Sequence, residues 1–258
     1  MEIRKLTELS TIYQRLSTGK RINSAADDAA GMAISEKIGA LARGIDKGTD
    51  NARDMQNLLR TAEGGLNSIN DSLQRIREIG VQAMNGIYTD SDRALMQAEV
   101  SQMLDHVKTA AQNTEFNTMK LLDGTFKDKI IQTGANKTQD MTITIGKVSA
   151  EGLLVDALDI SGPNTIPAAA AIETIDDALQ MVSDFRADLG AYQNRLEYKI
   201  QNLDNAAENM AAAESRIRDA DMAKMMTEFT KNNIMFQAST AMLAQANALP
   251  QSVLQLLG

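Results

Sequence analysis

The sequence predicts a mainly α fold: an elongated antiparallel helical bundle or coiled coil with a small β-hairpin region, followed by a terminal helical segment. Three observations carry this. Between Ile34 and Ala83, positions spaced alternately four and three apart hold no polar or charged side chain: Ile34, Ile38, Leu41, Ile45, Gly48, Ala52, Met55, Leu59, Ala62, Leu66, Ile69, Leu73, Ile76, Gly80 and Ala83. A helix holding that seam rises about 1.5 Å per residue and runs roughly 75 Å, so it needs facing helices along its length. A second row, Ile175, Val182, Leu189, Leu196, Leu203, Met210 and Ile217, repeats every seven residues. Finally, 43% of the 258 residues are apolar but only 3% are aromatic, with no Trp, which is the composition of aliphatic helix packing.

Taken in chain order, residues 1–16 read as a short helix ended by the Ser17-Thr18-Gly19 turn. Ser24 opens the seamed helix over 24–85, with Asp27 three residues on in a capping-box-like spacing and Asp28 beside it near the positive end of the dipole. Asn85-Gly86 ends it. Thr89 or Asp90 caps a helix over 90–112, where Met96, Val100, Met103, Val107 and Ala110 keep the four-three spacing.

The β-branched runs Lys129–Thr133 and Met141–Ile145, separated by Gly134-Ala135-Asn136, read as a hairpin over 129–145. Residues 146–170 hold two of the three prolines and little periodicity, so they read as a connection with at most one short helix. The second rod spans 171–218. Its partner positions are mixed, with Leu179 and Ile200 but also Arg186 and Gln193, so one edge is packed and the other partly wet.

From Asn232 to Gly258 there is no Asp, Glu, Lys or Arg. Met222, Phe229, Phe236 and Leu243 keep one heptad row, so a helix is expected to continue to Pro250. A solvent-facing helix normally carries charge, and an uncharged amphipathic one exposed alone invites association. Two readings stand: a helix docked in the core, or a segment buried between copies of the chain. Under the second, Met222, Phe229, Phe236, Leu243, Leu249, Leu254 and Leu257 are the candidate self-assembly residues.

Several function classes are disfavoured. Without Cys, disulfides, thiolate metal sites and thiol nucleophiles are excluded. A net charge of −8, with 26 Lys and Arg scattered among 34 acids, argues against nucleic acid as a partner. No run of about 18 apolar residues suggests membrane insertion, and no apolar stretch near the start resembles a cleaved signal peptide. The single His106 sits beside a seam residue, and no zinc motif or phosphate-binding loop is present, so no catalytic residue, cofactor or metal is expected. Gly64-Gly65 in mid-rod costs about 1 kcal/mol per glycine and implies close approach by a facing helix or subunit. The 15 Met read as adaptable core filler.

The stretch Leu16-Ser-Thr-Gly-Lys-Arg-Ile-Asn-Ser-Ala-Ala-Asp-Asp-Ala-Ala-Gly31 resembles the N-terminal signature of bacterial flagellins. So do Thr114-Glu-Phe-Asn117, Leu121-Leu-Asp-Gly124 and Ile131-Gln-Thr-Gly-Ala-Asn136. Leu189-Gly-Ala-Tyr-Gln-Asn-Arg-Leu196, Ser215-Arg-Ile-Arg-Asp-Ala-Asp221 and the Leu243-Ala-Gln-Ala-Asn247 tail resemble the C-terminal signature. The resemblance implies a subunit that polymerises with itself into the flagellar filament for motility, exported without a cleaved signal peptide and extracellular. It also implies an export chaperone and a cap protein as partners. Its layers map here as a partial N-terminal inner-layer helix and connector over 1–23, a rod over 24–218 and a C-terminal inner-layer helix over 219–258. The family's variable outer domains are expected to be missing, because only residues 146–170 occupy their place. Family members carry a longer segment ahead of Leu16, so the N-terminal inner helix is expected at about half length.

The resemblance also implies recognition of the rod by Toll-like receptor 5, through Arg75, Ile79 and Gln82 with Glu99 on the next helix. Positions 75, 79 and 82 are four and three apart, so the expectation is one exposed face beside the seam, with Arg75 as anchor. The competing reading is that this face serves contacts between neighbouring subunits. A hook-filament junction protein of the same superfamily and a secreted coiled-coil binding module are the alternatives to the filament subunit, with an enzyme a distant fourth.

Overall fold

The computed structural model describes the backbone of residues 2–161 and 166–257 and the side chains of 7–161 and 167–246. Among the described residues five helices and two small antiparallel hairpins follow in the order α1 Glu2–Thr18, α2 Ala29–Ala83, α3 Asp90–Asn113, β1 Glu115–Phe116, β2 Met119–Lys120, β3 Lys129–Gln132, β4 Asp140–Ile143, α4 Ile166–Arg218 and α5 Met222–Leu257. The mainly α class, the long seamed helices and the hairpin near 129–145 are therefore as the sequence predicts. The chain divides into one unit of residues 1–43 with 206–258 and another of 44–205, so the expected rod over 24–218 contributes to both.

Within residues 44–205, α2 is flanked by α3 and α4. Each runs antiparallel to it. Arg77 pairs with Asp176, Gln193 with Glu63 and Arg53 with Asp204, so partner numbers fall on α4 as they rise on α2. The seam from Ile45 onward is buried, with Leu59, Ala62, Leu66, Ile69, Leu73 and Ile76 fully excluded from water, and Ile175, Val182, Leu189 and Leu196 meet it in one core. Burying each such leucine or isoleucine stabilises by about 1.5–3 kcal/mol. Two glycines of α2, Gly48 in the seam and Gly65 beside it, mark close approach. A Cβ on Gly48 would lie 2.7 Å from Gly134 N, so the hairpin loop rests directly on the helix, and one on Gly65 would collide with Thr114 and Leu122. Gly64 has open space instead.

Near its start the seam departs from expectation. Ile34 is exposed, while Gly31, Ser35 and Gly39 are the buried positions, so the packed face there lies to one side of the predicted row. Gly39 is buried because Glu214 lies against it. Ser24 is not the cap of α2. Asp27 Oδ2 accepts from the N–H groups of Asn23 and Ser24 and closes a turn, and Asp28 caps the helix by accepting from Gly31 N–H at 2.9 Å. Thr89 caps α3 with a full capping box, its hydroxyl receiving Asp92 N–H while Asp92 receives Thr89 N–H.

The connection after β4 is a core element rather than a loose loop. Val148, Leu153, Val155, Leu158 and Ile160 are buried, and Gln97 on α3 holds it by donating to Leu158 O and accepting from Ile160 N–H. No helix interrupts it among the described residues before Ile166.

In the unit of residues 1–43 and 206–258, α1 packs on α5, with the Tyr13 and Phe229 rings 6.2 Å apart and tilted. The connectors leaving α1 and α4 pair in turn. Arg21 N–H donates to Arg218 O at 2.7 Å, Ala220 N–H donates to Gly19 O at 2.9 Å, and Lys20 bridges Asp219. Gly19 takes φ +69°, the left-handed ending suited to glycine past a helix. The Arg15–Asp27 ion pair and buried Ile12, Ile22 and Met225 complete this small core. α5 runs on past Pro250, its expected end, to Leu257.

Candidate functional site: recognition and assembly surfaces

Two surfaces collect the residues singled out by sequence. The first lies where α2 faces α3. Arg75 donates from Nε and one terminal nitrogen to Glu99 Oε1, at 3.1 and 2.8 Å, and from the other to Glu78 Oε2 at 3.1 Å. Hydrogen bonding to Glu99, and then to Glu78, raises the Arg75 pKa further above its already high ordinary value, so the guanidinium stays charged. It is also held in one orientation by two carboxylates. Such exposed pairs contribute little to stability, so their main effect is positional. Gln82, two turns beyond Arg75, donates to Tyr88 Oη at 3.0 Å.

The structure therefore brings Arg75, Gln82 and Glu99 onto an exposed polar strip and adds Glu78 and Tyr88, which sequence reasoning missed. Ile79 is the correction. It is 2% exposed and belongs to the core, because on α2 it stands between Ile76 and Ala83 and turns toward the packed side. It supports the strip from beneath and cannot touch a partner. Arg93 is a further residue that sequence reasoning missed. Its buried guanidinium donates to Ala83 O and stops α2 at a fixed place below the strip.

The second surface is on α5. Met222 is 46% exposed and Leu243 45%, while Phe229 and Phe236 are half-buried. Leu249, Leu254 and Leu257 lie on helical backbone, but their side chains are outside the described residues. Met226, Thr230, Ile234 and Met235 line an open groove along this helix, with apolar side chains toward solvent on more than one face. A helix this apolar has too much uncovered surface for a lone soluble element.

His106 is exposed and its Nδ1 meets the Ser72 hydroxyl at 3.0 Å, a surface tether between α3 and α2. Among the described residues no group of three His, Cys, Asp or Glu side chains could hold a metal ion, and no helix is long and apolar enough to cross a membrane.

Residues 4–127 match the bacterial flagellin N-terminal helical region and 172–257 the bacterial flagellin C-terminal helical region. The chain is 49% identical over 246 residues to a flagellin of Halalkalibacterium halodurans, covering 95% of this chain and 90% of that one. It is 45% identical over 260 residues to the flagellar filament 31.3 kDa core protein of Treponema maltophilum, with the same coverage of 95% and 90%. The crystal structure of Bacillus cereus flagellin aligns at a TM-score of 0.53 with 32% identity, covering 64% of this chain and 94% of that chain.

Proposed function

The chain belongs to the bacterial flagellin family, and on that premise we propose how its two surfaces divide the work of a filament subunit. It is a structural subunit of the bacterial flagellar filament, an extracellular polymer, and a short form without variable outer domains. The observation that carries this reading is that both terminal helical regions match, in order, across nearly the whole chain.

Assembly is driven by α5. Apolar surface gains about 25 cal/mol per Å² on leaving water, and the part of the row through Met222, Phe229, Phe236 and Leu243 that α1 leaves open gains that only when a neighbouring copy covers it. The amide and hydroxyl side chains of the uncharged stretch can bond one another or trapped water once buried, so the absence of charge is a requirement of that burial. An export chaperone and a cap protein attend the subunit before and during assembly. Removal of Asn232–Gly258 tests the reading: the truncated chain is expected to stay helical by circular dichroism and fail to sediment as filament. Continued polymerisation would sink the assembly role.

The α2–α3 strip is the receptor surface. Toll-like receptor 5 meets Arg75, presented by Glu99 and Glu78, with Gln82 beside it, while Ile79 acts only by holding the helix surface in place. Arg75→Ala is expected to lower receptor signalling with an unchanged circular dichroism spectrum. Undiminished signalling would show that the strip serves subunit contacts alone.

A further inference from the structure

Asn85-Gly86 is the one Asn-Gly pair in the chain, and it lies just past the end of α2 at Ala83, outside every helix and strand. An asparagine side-chain amide is open to attack by the next residue's backbone nitrogen when that nitrogen is not engaged, its residue carries no bulk and the amide carbonyl is polarised. All three hold here. Gly86 N–H has no acceptor among the described residues, although Asn85 N–H donates to Gln82 O at 3.1 Å and Tyr88 N–H to Asn85 O at 3.3 Å. Both residues of the pair are exposed, and a Cβ on Gly86 would find nothing within 4 Å. Ile87 N–H donates to Asn85 Oδ1 at 3.3 Å and so draws charge from the amide carbon, while Asn85 Nδ2 has no partner among the described residues.

We propose that Asn85-Gly86 is a spontaneous deamidation site of the folded subunit, and that the isoaspartate formed there releases Tyr88 from Gln82. Gly86 N gives up its proton to solvent hydroxide and bonds to Asn85 Cγ; the Cγ–Nδ2 bond breaks and the nitrogen leaves as ammonia, closing a five-membered imide. One water then opens the ring. Cleavage between Gly86 N and Cγ leaves an ordinary aspartate, whereas cleavage between Gly86 N and the main-chain carbonyl carbon leaves isoaspartate, with the chain running through Cβ and Cγ.

Either product places a carboxylate past the C-terminal end of α2, where the helix dipole is negative and disfavours it. Isoaspartate also lengthens the main chain by one carbon between Gln82 and Tyr88, the two residues whose side-chain bond of 3.0 Å spans the pair. The chemistry stands on the turn alone. Its bearing on recognition rests on the strip reading given above, since Gln82 and Tyr88 belong to that strip.

The full chain is held at mildly alkaline pH, then digested at intervals and mapped by mass spectrometry, with isoaspartate counted by an isoaspartyl methyltransferase. Asn85 is expected to convert well ahead of Asn67, an exposed asparagine within α2, and at a pace near that of the same chain in denaturant. Conversion in the folded chain no faster than at Asn67 overturns the site. Gly86→Ala, which the open space and the absence of a positive φ permit, is expected to bring Asn85 down to the pace of Asn67; an unchanged rate overturns the attack by Gly86 N. Hydrogen exchange over 86–89 is expected to quicken in the isoaspartate form but not in fresh Asn85→Asp, which adds the charge without the extra carbon. Exchange that stays unchanged, or that quickens equally in Asn85→Asp, overturns the release of Tyr88 by chain lengthening. Receptor signalling by the converted chain is expected to fall. Full signalling by the converted chain while Arg75→Ala is impaired sinks this consequence alone, whereas full signalling by both sinks the strip reading and leaves the deamidation site standing.

Discussion

The row Ile175–Val182–Leu189–Leu196 on α4 and the row Met222–Phe229–Phe236–Leu243 on α5 have the same seven-residue spacing and opposite fates. The first is fully buried against α2, in a helix rich in Asp, Glu, Lys and Arg on its outer face. The second is half-open to solvent, in a helix that loses every charge after Lys231. Spacing therefore specifies a stripe, and the charge on the remaining faces indicates what will cover it. A helix meant for water on one side keeps its charges, whereas one meant to be enclosed by copies of itself does not.

That contrast can be broken by paired truncations. Leu196→Ala should cost the isolated subunit about 2–5 kcal/mol, because it empties a site that is closed on every side. Leu243→Ala should change monomer stability by no more than about 0.5 kcal/mol, as for an ordinary surface substitution, while weakening sedimentation of the polymer. Chemical denaturation of both variants checks the pair, and equal costs would end the distinction. A smaller effect sharpens it within α3. Thr89→Ala removes the capping hydroxyl and should cost about 1 kcal/mol in the same titration, without altering α5-dependent assembly.

The smallest expected effect is on acid. Bonds from Thr89 N–H and hydroxyl hold Asp92 below the usual carboxylate range, and the Ser24 and Asn23 N–H groups do the same for Asp27. A carboxyl with a depressed folded pKa contributes stability that is present above its unfolded pKa, about 3.9, and is lost as pH falls below it. A slight decline in melting temperature below about pH 4, reduced in Asp92→Asn, is the outcome to look for; the same decline in that variant would remove Asp92 from the account.

Most of the helical fold was legible because long seams leave few alternatives. The bounds expected for α2, α3 and α4 lie within five residues of those found, and the 129–145 hairpin is present. What sequence reasoning missed was set by tertiary partners. Ser24 and Asp28 both have capping chemistry, and only the turn closed by Asp27 decides between them. The β1–β2 hairpin turns through Asn117 and Thr118, both at positive φ, and a β-branched residue there conceals the turn. The connection over 146–160 looks unpatterned because each buried residue answers to a different neighbour, and its Gln97 clamp comes from another element. At the recognition surface, Arg75, Gln82 and Glu99 were readable by spacing and resemblance. Ile79 was misread because a four-three face beside a seam is itself partly seam.

The pairing of the two connectors has a consequence in time. Arg21 meets the carbonyl of Ile217 across 196 positions of chain. Neither connector has this partner until nearly the whole polypeptide is available, and closing so long a loop is among the slower steps a chain can take. The terminal unit thus works as a check on completeness: a broken or unfinished chain can form local helices and the small hairpins, yet it leaves Gly19 to Ile22 with nothing to join.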